Sequence, residues 1–381
     1  MSNRQQLAEV AAVFLKLGTI AFGGPAAHIA MMNEEIVQKR KWVDQDTFLD
    51  LLGAANLIPG PNSTELAIHL GYRRAGRAGL IVAGVCFILP AMLIVLGMAI
   101  LYHRYGQLPQ ISALLYGVKP VIIAIVLQAL WGLTRTAVKN RVTAAAGLLT
   151  LGGAALGAQE ILLLVLAGAL VMLIQNRQKL RGKLFSLSPL IPFCAVWPST
   201  SPQPSDPSAL GKLFWLFLKM GSVLYGSGYV LLAFLQSEFV ERWQVLAPHQ
   251  LLDAVAVGQF TPGPVFTTAT FVGYLIAGIP GAILATVGIF LPAFVFVALV
   301  NPWIDRLRSS SWTGSFLDGV NAASLALMTL VTGQLALNTV IDWFTLCLTL
   351  TSTVLLFRFN INSAWLILAG GALGLLFAHN P

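Results

Sequence analysis

A Pro-Gly-Pro break inside an apolar stretch, Leu57-Ile58-Pro59-Gly60-Pro61-Asn62-Ser63-Thr64, constrains this chain more than any other feature, because it occurs twice. The second copy is Phe260-Thr261-Pro262-Gly263-Pro264-Val265-Phe266-Thr267, and its surroundings repeat as well. Phe14-Leu15-Lys16-Leu17-Gly18 returns as Phe217-Leu218-Lys219-Met220-Gly221, and Asp50 as Asp253, 203 positions on. After the break the offset is 202, pairing Leu89-Pro90-Ala91 with Leu291-Pro292-Ala293 and Gly117-Val118-Lys119 with Gly319-Val320-Asn321. The duplication predicts two halves on one plan, each with a helix interrupted between two prolines.

Composition says where such halves can live. Of 381 residues 57% are apolar and 10% charged, with a mean hydropathy of +0.78, which leaves no polar surface for a water-soluble domain. The expectation is an all-α polytopic membrane protein embedded in lipid. Its net charge of +8 reads as topology-setting loop charge, not as a nucleic-acid surface. Cys86, Cys194 and Cys347 are scattered, without CxxC or Cys/His pairing, so no metal, disulfide or cofactor is expected.

Met1 to Leu7 is a short polar tail without a signal-peptide pattern. The first repeat covers residues 1–175. It has an apolar segment from Ala8 to Met32 interrupted at Gly23-Gly24-Pro25, a charged loop from Glu34 to Asp46, the arms around the first Pro-Gly-Pro, and four further apolar segments. Residues 176–209, basic and then Pro/Ser-rich, form a linker. The second repeat, residues 210–381, copies the order, with its first segment interrupted at Gly226-Ser227-Gly228.

The arms Phe48–Ile58 and Asn62–Tyr72 have 11 residues each, roughly 16 Å as helix against a hydrocarbon core of about 30 Å. They reach the midplane, and both a kinked crossing and a re-entrant hairpin fit that length. The basic loop residues discriminate. Crossing arms divide them 12 against 8. Re-entrant arms place Lys39 to Lys41, Arg73 to Arg77, Arg135 to Arg141, Arg177 to Lys212, Arg306, Arg308 and Arg358 on one side and only Arg4, Arg104 and Arg242 opposite, 17 against 3. Five crossings plus a hairpin in each half then follow, and an odd number inverts the second half relative to the first, the architecture of secondary transporters. Both ends of the chain are expected away from the cytoplasm.

Three cations lie inside apolar segments: Lys16 and Lys219 at one repeat position, and Lys119, whose counterpart is Asn321. A cation in the membrane costs about 2.5 kcal/mol or more, so it marks a functional candidate, with snorkelling to the interface as the plain alternative. Beside them, Gly60 and Gly263 sit in breaks framed by Pro59, Pro61, Pro262 and Pro264. With Pro61 opening the outgoing arm, the N–H groups of Asn62, Ser63 and Thr64 lack intrahelical partners. Val265, Phe266 and Thr267 stand likewise, near the hydroxyls of Thr261 and Thr268, and Gly23, Gly24 and Gly226 mark similar termini. Half-helix N-termini with lysines make an anion pocket, and hydroxyls and N–H groups suit an oxyanion. Glu65, where the second repeat has Thr268, is either a proton-coupling carboxylate or one stabilised in the first turn of its arm. Glu35, Glu238, Asp50 and Asp253 read as helix-end partners of basic residues, and His28 and His69 as hydrogen-bonded residues or proton carriers. Asn62-Ser63-Thr64 matches a glycosylation sequon by chance, since it lies between apolar arms. Gly153-x-x-x-Gly157 and Gly370-x-x-x-Gly374 are helix-packing patterns of low specificity, and a homodimer is an option for the assembly.

The duplicated domain, Phe22-Gly23-Gly24-Pro25, the two Pro-Gly-Pro motifs and the two Leu-Pro-Ala stretches resemble the chromate ion transporter family in its long two-domain form, over nearly the whole chain. The resemblance implies chromate export across the bacterial plasma membrane, conferring chromate resistance, with proton antiport as the coupling and sulfate as a related dianion. Tyr225-Gly226-Ser227-Gly228 departs from the pattern in lacking the proline. A carrier of sulfate or another oxyanion, and a passive anion channel with similar half-helix ends, are the alternatives. An intramembrane enzyme is not expected, since HExxH, GxSxG and Asp-rich motifs are absent and the acidic residues cluster at segment ends.

Overall fold

A computed structural model describes residues 2–21, 24–106, 108–177, 207–224, 230–301, 311–359, 361 and 363–377. They form fourteen α-helices and no strand. In lipid the helix satisfies its own backbone groups, so apolar segments of this composition have no other stable local structure. The first half contains α1 (Asn3–Ile20), α2 (Gly24–Met32), α3 (Gln45–Ala55), α4 (Asn62–Tyr105), α5 (Pro109–Ala137), α6 (Arg141–Ala155) and α7 (Glu160–Gln175). The second contains α8 (Pro207–Val223), α9 (Leu231–Leu235), α10 (Pro248–Phe260), α11 (Thr268–Val300), α12 (Ser311–Thr339), α13 (Trp343–Phe359) and α14 (Ser363–Phe377). α2 and α9 each run on into a seven-residue π-helical stretch, Asn33–Lys39 and Gln236–Arg242.

The Pro-Gly-Pro segments are re-entrant. Glu9 on α1 accepts from Arg40 (3.2 Å), Trp42 (3.2 Å) and Arg74 (2.6 Å), and the Arg74 guanidinium lies over the Trp42 ring. The basic loops on either side of the first Pro-Gly-Pro therefore meet at one carboxylate on one face of the protein. After the break the chain turns again inside α4, at Ala75 and Gly76, the latter with φ 61° and ψ −150°. A Cβ on Gly71 would sit 2.4 Å from the Gly79 carbonyl oxygen and from Ala83 Cβ, which only a chain doubled back on itself allows. α11 repeats this at Ala277 and Gly278, again with φ 61° and ψ −150°, and joins Thr270 to Thr286 by a 2.7 Å hydroxyl bond.

The segment 8–32 differs from the sequence expectation of an interrupted crossing. Lys16 on α1 pairs with Glu35 beyond α2 at 3.1 Å, and Glu9 meets Arg40, so α1 and α2 lie side by side as a second hairpin that folds back near Gly24. Lys219 and Glu238 do the same in the second half at 2.9 Å. Among the described residues, each half thus has two hairpins and four segments running from face to face. The second half is nevertheless inverted. Asp253 on α10, the counterpart of Asp50, accepts from Tyr102 at the far end of α4 from the Arg74 turn, and Arg242 pairs with Glu160 at the start of α7.

Two details of the expected topology change as a consequence. The Asn3 end of α1 joins the face that holds Lys39 to Lys41, Arg73, Arg74, Arg77, Arg135, Lys139, Arg141, Arg177 and Arg358. The Phe377 end of α14 lies on the other face, beside Phe344. Lys212, stacked over Trp243, also belongs to that other face, with Arg104 and Arg242. The basic face is the cytoplasmic one by the positive-inside rule. Arg177 and Pro207 end on opposite faces, and this restores the inversion that four crossings alone would not give. The proposed linker between them lies mostly outside the described residues, as does Cys194.

Of the two small-residue patterns, Gly370-x-x-x-Gly374 packs on Gly117 of α5, where an added Cβ at Gly117 would collide with the Gly370 carbonyl. That face is used within the chain. Gly157 has φ 81° and belongs to the turn after α6, because the backbone there needs a left-handed residue.

Candidate functional site

The helix breaks of the two halves interlock at mid-membrane depth. The Gly60 N–H donates to Leu224 O at the end of α8 (2.7 Å), and the Gly263 N–H to Ala21 O at the end of α1 (2.9 Å). Gly60 and Gly263 are repeat partners, and so are Leu224 and Ala21, so the bonds form a reciprocal pair about a pseudo-two-fold axis. The Leu-Pro-Ala stretches interlock the same way: a Cβ on Gly60 would lie 3.7 Å from Ala293 Cβ, and one on Gly263 2.8 Å from Ala91 Cβ. Both glycines have positive φ, 139° and 87°, so the tightness of the crossing and the backbone conformation select glycine together.

The two copies part company in the first turn beyond the break. At the start of α4, the N–H groups of Thr64 and Glu65 close onto Pro61 O, and the positive end of the helix points into the protein interior. Thr64 Oγ1 and both carboxyl oxygens of Glu65 are buried and have no hydrogen-bond partner among the described residues. The Glu65 carboxyl folds back over the turn, with Oε1 2.3 Å from where a Gly60 Cβ would be. At the second copy Thr267 Oγ1 donates to Pro264 O (2.7 Å) and Thr268 Oγ1 to Val265 O (2.8 Å), and Val265 and Phe266 replace Asn62 and Ser63. One break presents unsatisfied polar atoms; the other has closed them onto itself.

His28 ties this site to the first hairpin. Its Nε2 lies 3.0 Å from Ala21 O, which can only accept, so Nε2 carries the proton; Nδ1, 3.3 Å from Ser63 Oγ, then accepts from that hydroxyl in the neutral ring. Asn62 is held from the other side, donating through Nδ2 to Asn56 Oδ1 across the Pro-Gly-Pro turn. Gly24 opens α2 with φ 76°, while Gly23 and Gly226 lie outside the described residues. His69 sits nearer the cytoplasmic face, bonded through Nδ1 to Asn301.

The three membrane lysines are not gathered in one pocket. Lys16 and Lys219 belong to hairpins that enter from opposite faces, and each is held by a carboxylate that also binds an arginine: Glu35 with Arg40 (3.0 Å), Glu238 with Arg242 (3.0 Å). Their side chains are about half exposed, 52% and 42%. Lys119 instead lies at the floor of a cavity of about 400 Å³ near the far ends of α4, α5 and α12, paired with buried Asp253 at 3.1 Å. Sequence reasoning read Asp253 as a helix-end partner of loop charge and did not single out Tyr102. The signal for Asp253 was an acidic residue in an apolar arm, but its partner is 134 positions away and on the other half, so only the inversion brings them together.

Broken helices meeting across an inverted repeat, with a positive helix end and unsatisfied hydroxyl and carboxyl groups between them, are an architecture of membrane transporters. The chain belongs to the chromate transporter family, whose profile matches residues 8–173 and 211–375, one domain in each half. It is 34% identical to the chromate transport protein of Cupriavidus metallidurans, over 98% of this chain and 93% of that one. It is 33% identical to a probable chromate transport protein of Synechococcus elongatus (84% and 81%) and 29% identical to the chromate transport protein of Pseudomonas aeruginosa (96% and 91%). No solved structure matches.

Proposed function

We propose that this transporter exports chromate from the cytoplasm, conferring chromate resistance, and that Glu65 couples the export to protons entering in exchange. The observation that carries the reading is the buried Glu65 carboxyl without a partner, beside the unpaired Thr64 hydroxyl at the N-terminus of α4. Exchange requires that the anion-loaded carrier move outward with Glu65 ionised and that the emptied carrier return with Glu65 protonated, and burial, which favours the neutral carboxyl once the anion has gone, is what supplies the second half of that cycle. Lys16 and Lys219, on the two hairpins whose ends meet the breaks, supply the cationic surroundings along the path, and membrane lipid completes them.

Voltage contributes on its own. Two negative charges leaving a negative-inside cell gain about 2.3 kcal/mol each per 100 mV, which is roughly three decades of concentration ratio at about 1.4 kcal/mol per decade. The test is chromate flux in liposomes holding the purified protein, with potential and pH gradient set independently and sulfate as competitor. Wild-type flux should respond to both gradients, and Glu65→Gln should keep the response to potential while losing the response to pH. Flux indifferent to the potential would remove the electrogenic mechanism, and flux without counterflow of labelled substrate would point to a channel.

A further inference from the structure

We propose that Lys119 is a second docking residue for the exported oxyanion, in a vestibule on the non-cytoplasmic face, and that Asp253 is the competitor that displaces the anion from it. The proposal rests on the oxyanion-export reading above.

The vestibule is the cavity of about 400 Å³. It is bounded by the far ends of α4 and α5, the start of α10 and the end of α12, and Ile341 at its edge is 70% exposed, so it opens at the face poor in basic residues. A space of that size holds a tetrahedral oxyanion together with several of its waters. Its wall carries hydroxyl, imidazole and amide groups, among them Tyr102, Ser112, His249 and Asn338.

At its floor the Lys119 side chain is 20% exposed, and its charge is neutralised by Asp253, whose side chain is 2% exposed. Asp253 divides its two oxygens: Oδ1 lies 3.1 Å from Lys119 Nζ, and Oδ2 accepts from the Tyr102 hydroxyl at 2.7 Å. A cation so placed can exchange one anionic partner for another without ever being left bare. An incoming dianion takes Lys119 while Asp253 keeps its Tyr102 bond. When Asp253 swings back, it returns the cation to its resting partner and sends the anion into solution.

The arrangement exists at one end of the molecule. Asp50 repeats Asp253, but Asn321 stands where Lys119 would recur. On an otherwise symmetric scaffold, a single charge pair at the outer mouth gives the two mouths different affinities for the anion, which is what release on one side requires.

The proposal is tested on the full chain with Cys86, Cys194 and Cys347 replaced by serine and Ser112→Cys added, in sealed vesicles of defined orientation. An impermeant maleimide should reach Cys at position 112 from the non-cytoplasmic side, and sulfate on that side should slow the reaction. The half-protecting sulfate concentration should fall by about tenfold in Asp253→Asn and rise by at least as much in Lys119→Asn, as expected when one member of a desolvated charge pair is removed. Tyr102→Phe, which removes the bond that holds Asp253 while the anion occupies Lys119, should shift it in the same direction as Lys119→Asn and by less. Chromate turnover in Asp253→Asn should fall because release slows. Unmoved protection constants in a protein that transports chromate would overturn the docking site and leave the export reading standing. No oxyanion transport by the unmutated chain would overturn both.

Discussion

At Glu65 a carboxyl is buried with neither oxygen hydrogen-bonded among the described residues, whereas its repeat partner Thr268 donates to Val265 O at 2.8 Å. The difference lies in what a first-turn side chain can reach: a threonine hydroxyl is short enough to close onto its own turn, while the longer glutamate overshoots and lies against Gly60. Thr64 and Thr267 separate the same way, although they are identical in the sequence, since only Thr267 finds a backbone acceptor. Thr64→Val should therefore leave thermal stability in detergent unchanged or raised, because an unpartnered buried hydroxyl is replaced by a methyl of the same shape. It should weaken chromate binding severalfold, read as a raised half-saturating concentration in liposome flux. The candidate residues of the first break were legible as residue types; that the second break is closed off was legible only in part, from Val265 and Phe266.

The hairpins depend on single glycines at their turns. Gly76 and Gly278 hold φ 61° with ψ −150°, a region essentially closed to residues with a Cβ, yet an added Cβ would meet nothing within 4 Å at either. Their role is thus conformational and not steric. Gly76→Ala should destabilise the protein by about 1–3 kcal/mol, seen as a lower melting temperature in detergent. Gly97→Ala, in the helical part of α4 with equally open surroundings, should be neutral or stabilising by up to about 1 kcal/mol. The sequence marked the Pro-Gly-Pro turns because proline breaks a helix for local reasons. The second turn carries Ala-Gly in each arm and a nearby proline, Pro280, only in the second half, and a glycine in an apolar helix is too common to announce a reversal.

Across the whole molecule the charges define two faces. Cysteines placed singly at positions 2, 41 and 73 should all be labelled from the cytoplasmic side, and one at 244 from the other. Labelling of 41 and 73 from opposite sides would turn the Pro-Gly-Pro segments into simple crossings. The membrane setting, the all-helical class, the duplication and the re-entrant arms followed from the sequence alone, because hydropathy, proline spacing and loop charge are local quantities that sum along the chain. The fold-back of α1 on α2 did not follow, since a helix broken at mid-membrane depth has the same composition whether it continues or returns. Only the pairing of Lys16 with Glu35 and of Glu9 with Arg40 and Arg74 decides it. The same holds for the meeting of Lys119 with Asp253. Each residue is an isolated charge in its own apolar segment, and it takes the inverted packing of one half on the other to bring the two to the same end of the membrane, where burial compels opposite charges to pair.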